Sequence, residues 1–182
     1  MNDETTASPD DVRRTRRLVA LLGGGALLLA GGFAVMPWVL TRPRPAPEVQ
    51  FTLLDGSQPT VAGLRGQVVL VSFWSTTCAP CMEEMPVLID FHRRNAPRGL
   101  KTIAVAMQQD RPDMVLSFVQ RRQLPFDIAL DVQGDVAQAF FRTEVTPTKY
   151  LIDPQGNVVR RHVGRTDFAD LQQRIDGMLG AG

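Results

Sequence analysis

The sequence predicts an α/β protein in which a mixed central sheet lies between helices. Residues 68–74 (VVLVSFW) are almost wholly apolar, as expected for a strand that is covered on both faces. The order of the candidate elements is βαβ, a further αβ piece, a helix and then ββα. In Asp153-Pro154-Gln155-Gly156, the Asp, Pro and Gly at the first, second and fourth positions fit a type I turn, which predicts an antiparallel hairpin.

Two short strands are predicted before the apolar strand. Residues 48–54 have the pattern of a strand that ends at the turn signal Asp55-Gly56, and residues 59–64 that of a second strand and loop. Pro86 is expected to kink the first helix because it removes a backbone hydrogen bond, and Asp167 can cap the last helix. The later strands are predicted at 68–74, 100–107, 126–130, 148–153 and 157–163, and the helices at 79–95, 112–122, 134–141 and 168–179.

Length and charge limit the possible functions. The chain has 182 residues, with 20 basic and 19 acidic side chains, so no excess charge suggests nucleic acid as a partner. The last ~135 residues are enough to bury roughly two thirds of their unfolded surface, so the core does not need a disulfide.

An uncharged segment, residues 18–40, predicts a membrane anchor, since about 20 helical residues span a bilayer. Four arginines lie closely before it and two follow, which predicts a cytoplasmic N-terminus. The resulting division is a tail at 1–17, the anchor at 18–40, a proline-rich linker at 41–47 and a folded domain at 48–182. The alternative is a cleaved signal peptide, with Gly32-Phe33-Ala34 as a passable cleavage site.

Cys78 and Cys81 are the two cysteines of the chain, and they lie where the apolar strand gives way to a helix. A thiol at a helix N-terminus faces unpaired backbone N–H groups and the positive end of the helix dipole, both of which favour the reactive thiolate. The two-residue spacing lets the second sulfur reach a disulfide formed by the first. The placement predicts redox chemistry, with Cys78 as the attacking sulfur and Cys81 as the resolving sulfur.

The cysteine pair is also compatible with other functions. A structural disulfide with this spacing closes a very small loop and gives little stabilisation. A zinc site needs four ligands, and only His92 and His162 remain to complete it. Two alternatives stay open: a copper-binding module in which both thiolates hold Cu(I), with His162 or a methionine as third ligand, and a redox-inactive docking domain.

Three motifs in this order resemble the thioredoxin fold: FWSTTCAPC, Pro86 five positions after the second cysteine, and Val145-Thr146-Pro147-Thr148 before the hairpin. The extra N-terminal strands and an αβ insert near 110–131 are similar to the TlpA/ResA/CcmG-type branch. Members of that branch are membrane-anchored thioredoxin-like thiol-disulfide oxidoreductases outside the bacterial cytoplasm. The resemblance covers about residues 48–180.

The resemblance implies a role for particular residues. Cys78 and Cys81 match the redox-active disulfide of the family. Pro147 matches the cis-proline beside the active site, although the residue pattern alone favours an ordinary trans proline. Thr146 is the position whose backbone pairs with the bound partner, and Trp74 matches the aromatic residue beneath the motif, a candidate wall of the substrate site.

Glu84 matches a glutamate that tunes the thiols in this branch, whereas without the resemblance it would be a solvated residue of the first helical turns. Three residues depart from the family pattern. Ser72 stands where ordinary thioredoxin has a buried aspartate, Thr77 where tryptophan is common, and Lys149 where a smaller or apolar residue is usual. These departures bear on redox potential and partner choice.

The resemblance therefore implies a thiol-disulfide oxidoreductase that needs no bound cofactor and reduces disulfides of exported proteins. Apocytochrome c and oxidase assembly factors are candidate partners, and a membrane thiol electron donor is expected to reduce the pair again. The expected location is the bacterial inner membrane, as a single-pass protein with a periplasmic catalytic domain.

Overall fold

A computed structural model describes residues 44–180, which contain a six-stranded mixed sheet with helices on both faces. The strands are β1 (Arg44–Pro45), β2 (Val68–Trp74), β3 (Leu100–Ala106), β4 (Asp127–Leu130), β5 (Thr148–Ile152) and β6 (Asn157–Val163). The helices are α1 (Ala79–Asn95), α2 (Pro112–Arg122), α3 (Asp135–Ala139) and α4 (Phe168–Leu179), with 3₁₀ turns at Ala62–Leu64 and Ala96–Arg98.

The sheet order is β1-β6-β5-β2-β3-β4. Strands β2, β3 and β4 are parallel to one another, whereas β5 runs antiparallel to both β2 and β6. The predicted mixed sheet is therefore confirmed, as is the hairpin between β5 and β6. This order makes β2 a central strand, and the segment that leads to Cys78 and Cys81 begins where β2 ends.

The core has two layers because the side chains of β2 alternate between the faces of the sheet. Val69, Val71 and Phe73 pack beneath α3 and the N-terminal segment. Leu70 and Trp74 pack on the opposite face, beneath α1 and α4. Every residue of β2 is buried, which explains its continuous apolar sequence.

The prediction of two N-terminal strands, at 48–54 and 59–64, is wrong. This segment makes only the isolated bridges Gln50–Thr60 and Leu53–Ala129, and a 3₁₀ turn occupies part of the second range. Phe51 is fully buried, so the apolar residues here reflect packing of an irregular segment against the core rather than a continuous ladder. The N-terminal addition to the sheet is the two-residue strand β1, which pairs with β6.

The remaining elements match their predicted positions closely. Helix α1 continues through Pro86 to Asn95, and Asp167 caps α4 by accepting hydrogen bonds from Ala169 N and Asp170 N. Helix α3 is shorter than predicted, because Gly134 and Phe141 lie in the left-handed region with φ values of 79° and 57°. Helix α2 and strand β4 form the predicted αβ piece at the sheet edge.

The predicted anchor at 18–40 and the predicted tail at 1–17 lie outside the described residues. Among residues 44–180, no helix combines the length and apolar character required to cross a bilayer. Strand β1 falls within the segment 41–47 that was expected to be a linker, so ordered structure begins before residue 48.

Candidate active site

Cys78 and Cys81 form a disulfide at the N-terminus of α1. Cys78 is the N-cap, and its sulfur accepts a hydrogen bond from Cys81 N at 3.2 Å. Pro80 lies in the first turn, where the missing N–H costs nothing and the fixed φ favours the helix. The local sequence therefore begins the helix directly at the first sulfur.

The two sulfurs differ in accessibility. Cys78 is partly exposed, whereas Cys81 is 3% exposed and packs with the core beneath α1. Exchange requires the incoming sulfur to reach one atom of the disulfide. The more exposed member of the pair is therefore Cys78, the first cysteine in the sequence.

Asp110 anchors the loop that leads into Cys78. Its carboxylate accepts hydrogen bonds from Ser75 Oγ at 2.9 Å, Thr76 N at 2.7 Å and Thr76 Oγ1 at 2.8 Å. Cys78 N in turn donates to Ser75 O at 3.2 Å. Asp110 was not predicted from the sequence, where the available signal was an aspartate shortly after the end of a buried strand.

Trp74 lies at the end of β2 and is 1% exposed. Its ring packs against Phe118 of α2 at a centroid distance of 5.3 Å, in the same apolar cluster as Cys81. Within residues 44–180, its Nε1–H has no hydrogen-bond partner. The indole is part of the floor beneath the motif and presents no surface to a partner in this oxidised form.

Thr146 and Pro147 precede β5 and are joined by a cis peptide bond. Since Phe73 is paired with Thr148, the register places this peptide beside the end of β2, where the loop to Cys78 begins. Pro147 O accepts a hydrogen bond from Gly164 N at 2.8 Å. Thr146 is half-buried and the adjacent Val145 is 54% exposed, so this edge is partly accessible to solvent.

Glu84 lies one turn after Cys81 and is bound on two sides. Its Oε2 accepts a hydrogen bond from Lys149 Nζ, and its Oε1 accepts one from Thr166 N at 2.7 Å. The side chain is 11% exposed, whereas neighbouring Glu83 is at the surface in an ion pair with Arg165. Glu84 is thus an ordered, partly buried carboxylate.

Lys149 is the most unusual residue of the site, because it is 2% exposed on a central strand. Burial lowers the pKa of Lys149, and the charge and hydrogen bond of Glu84 oppose that effect. Its neighbours across the sheet are Ser72 on β2 and His162 on β6. Lys149 departs from the family pattern, and its partner Glu84 was not predicted from the sequence.

The two histidines, His92 and His162, each contact a polar side chain. His92 Nδ1 lies 3.1 Å from Thr102 Oγ1, and His162 Nε2 lies 3.1 Å from Asp170 Oδ2. Across residues 44–180, no group of three or more His, Cys, Asp and Glu side chains converges on a possible metal position.

A sheet of this topology, with a disulfide that caps a helix beside a cis-proline, defines a thioredoxin-like protein of the thiol-disulfide exchange class. The chain belongs to the AhpC/TSA family, whose family profile matches residues 43–161. It is 27% identical over 159 residues to the thiol-disulfide oxidoreductase ResA of Bacillus thuringiensis subsp. konkukian, covering 87% of this chain and 90% of that protein. It is 28% identical over 167 residues to ResA of Geobacillus thermodenitrificans, covering 92% and 95%.

Solved structures agree with this assignment. A thiol:disulfide interchange protein of the thioredoxin family from Chlorobium tepidum TLS superposes with a TM-score of 0.68 at 26% identity, covering 77% of this chain and 99% of that one. A candidate thioredoxin from Neisseria meningitidis gives a TM-score of 0.70 at 33% identity, covering 78% and 93%. The chain is a thiol-disulfide oxidoreductase, and the predicted resemblance to the ResA branch is confirmed.

Proposed function

We propose that the protein reduces disulfides of exported partner proteins through the Cys78–Cys81 dithiol. The observation that carries this proposal is the asymmetry of the pair, with one sulfur accessible at a helix N-terminus and the other buried directly behind it. The proline in CAPC and the similarity to ResA favour the reducing direction.

The exchange runs in two steps. Cys78 thiolate attacks a partner disulfide, so a Cys78–partner bond forms while one partner sulfur leaves with the electron pair. Cys81 then loses its proton and attacks the Cys78 sulfur, which restores the Cys78–Cys81 disulfide and releases the second partner thiolate. Two electrons pass to the partner. The backbone at Thr146–Pro147 holds the partner chain beside Cys78.

Glu84 serves as the proton acceptor for Cys81 in the second step. It lies at i+3 from Cys81, and residues at this spacing are neighbours on a helix surface. A buried thiol has no direct access to bulk water, so a carboxylate beside it provides a route for the proton.

The proposed location is the outer face of the bacterial inner membrane. The uncharged segment 18–40 and the arginines before it support a single-pass anchor with a cytoplasmic N-terminus. Because that compartment is oxidising, a membrane thiol donor must return electrons to the pair. Apocytochrome c and oxidase assembly factors are the proposed partners. Protease treatment of spheroplasts tests the topology: the domain should be degraded from outside, and protection would contradict it.

Trapping tests the partner assignment. In Cys81→Ser the mixed disulfide cannot be resolved, so exported proteins should accumulate on Cys78 and be released by dithiothreitol. Cys78→Ser is the matched control and should trap nothing. The redox potential tests direction: a value near the ~−120 mV of strongly oxidising proteins would contradict reduction as the function.

A further inference from the structure

Lys149 is a charged residue in a place where charge is costly. It occupies β5 between Ser72 and His162, beneath α1, with 2% of its side chain exposed. A buried ammonium is retained only when a counter-charge and hydrogen bonds compensate for its lost hydration. Glu84 is that counter-charge.

The other charged groups near Lys149 are bound to one another. His162 on β6 lies 3.1 Å from Asp170 of α4, and Arg160 Nε lies 2.8 Å from the same carboxylate. Arg174 adds a third contact to Asp170, at 3.1 Å. Asp170 is thus paired with His162, Arg160 and Arg174. The ammonium of Lys149 is paired with Glu84.

Glu84 also borders a solvent-open pocket. The pocket has a volume of about 200 Å³ and is lined by Pro80, Glu83, Glu84, Val87, Arg165, Thr166 and Phe168. A proton taken by Glu84 from the core side can therefore leave through this pocket to water. Cys81 itself is only 3% exposed, and it is not among the residues that line this pocket.

We propose that Lys149 is a positioning residue for the resolving step: its ion pair holds the Glu84 carboxylate in place beside Cys81, so that the carboxylate can accept the Cys81 proton and pass it to the solvent pocket. This inference rests on the proposed exchange at Cys78 and Cys81. Without Lys149, Oε2 of Glu84 loses its hydrogen-bond donor, and the carboxylate is no longer held from the β5 side. Thr166 N fixes the second carboxylate oxygen, so orientation depends on β5 and on the loop before α4 together.

Ellman's reagent separates the two sulfurs in time. The reduced protein releases a first thionitrobenzoate when Cys78 attacks and a second when Cys81 resolves the mixed disulfide, so two phases are recorded by stopped flow. At pH 7, Lys149→Met should slow the second phase about tenfold, as expected for partial loss of general-base catalysis, and leave the first phase within twofold. Lys149→Arg, which keeps the charge, should restore most of the rate. The second phase of Lys149→Met should also rise more steeply with pH, because more alkaline solution replaces the missing base.

A double variant tests whether Lys149 acts through Glu84. Glu84→Gln should slow the second phase at least as much as Lys149→Met, and combining both substitutions should cause no further loss. The control is Lys101→Met, which breaks the Lys101–Asp127 pair (2.6 Å) between β3 and β4 and should leave both phases unchanged. The double variant buries no unpaired charge. If Lys149→Met does not fold, the double variant can still be compared with Glu84→Gln.

The outcomes separate the two proposals. A normal first phase with an unchanged second phase in Lys149→Met overturns the role of Lys149 while the exchange chemistry stands. Additive losses in the double variant also overturn it, because Lys149 would then act independently of Glu84. Absence of the first phase in the wild-type protein would instead contradict the proposed function.

Discussion

Asp110 Oδ2 accepts a hydrogen bond from Thr76 N at 2.7 Å, and this contact ties the loop after β3 to the loop that carries Cys78. Asp110 Oδ1 adds two hydroxyl donors, Ser75 Oγ and Thr76 Oγ1. One carboxylate thus fixes the approach to the first sulfur from outside its own helix. The position of Cys78 depends on β3 as well as on β2 and α1.

Replacing Asp110 should weaken both the fold and the attack by Cys78. Asp110→Ala removes three hydrogen bonds to a charged acceptor, so we expect a loss of about 2 kcal/mol in the free energy of unfolding of the oxidised protein. The first phase of the reaction with Ellman's reagent should slow severalfold. Denaturant unfolding and stopped flow measure the two effects. Asp135→Ala, on the exposed start of α3, is a control for loss of an acidic side chain, and equal behaviour of the two variants would contradict the anchoring role.

Breaking the Glu84–Lys149 pair should give a stability defect that depends on pH. Glu84→Gln leaves a buried ammonium without its counter-charge, which costs about 3 kcal/mol near pH 7. Burial already lowers the pKa of Lys149, and losing the opposing carboxylate lowers it further. The native variant therefore releases the Lys149 proton at a lower pH than the wild type does, whereas both unfolded chains keep it up to the ordinary lysine value.

The wild-type advantage over Glu84→Gln should consequently shrink as the pH rises from 7 towards 10. Urea unfolding of both proteins at several pH values measures this difference. A difference that stays constant, or that grows with pH, would contradict the assignment of Lys149 as a buried ammonium.

His92 should make the fold less stable in mildly acidic solution. Burial lowers the pKa of His92, so the unfolded chain binds a proton more readily than the native protein does. Stability is retained above the ordinary value near 6.5 and is lost as the pH falls below it. His92→Gln should remove this contribution. The wild type should therefore lose stability relative to His92→Gln as the pH falls from 7.5 to 5. If thermal unfolding of the two proteins shows no such change with pH, the prediction is contradicted.

Trp74 should tolerate a change to phenylalanine better than its size suggests. Its Nε1–H is buried and has no hydrogen-bond partner among residues 44–180, so Trp74→Phe removes an uncompensated polar group together with some packing. We expect Trp74→Phe to lose about 1–2 kcal/mol of unfolding free energy and Trp74→Ala about 3–5 kcal/mol. Chemical denaturation measures both losses of unfolding free energy. If Trp74→Phe loses as much as Trp74→Ala, the indole N–H has an essential hydrogen-bond partner, and the prediction is contradicted.

The strong local patterns of the sequence predicted most of the fold. Strand β2 is continuously apolar because both its faces are covered, and α1 has its cysteine cap, its early proline and its buried side at helical spacing. Residues 48–54 also alternate in polarity, yet they form bridges to distant residues instead of a strand. Their apolar residues are buried by packing that a local pattern does not specify.

The cysteine pair was predictable because both its residues and its helix position are local in sequence. Asp110 and Lys149 were not, because each acts on a residue 34 or more positions away. Lys149 gave a weak signal as the one charged residue of strand β5. Its partner depended on how α1 crosses β5, which the sequence pattern does not determine.

The proposed exchange requires Cys78 to be the accessible, ionised sulfur of the reduced pair. Iodoacetamide alkylation of reduced Cys81→Ser at pH 7 tests this directly, with a cysteine in an unstructured peptide as reference. We expect Cys78 to react at least tenfold faster than the peptide thiol, because the helix N-terminus favours the thiolate. A rate equal to or below that of the peptide would contradict the assignment of Cys78 as the attacking sulfur.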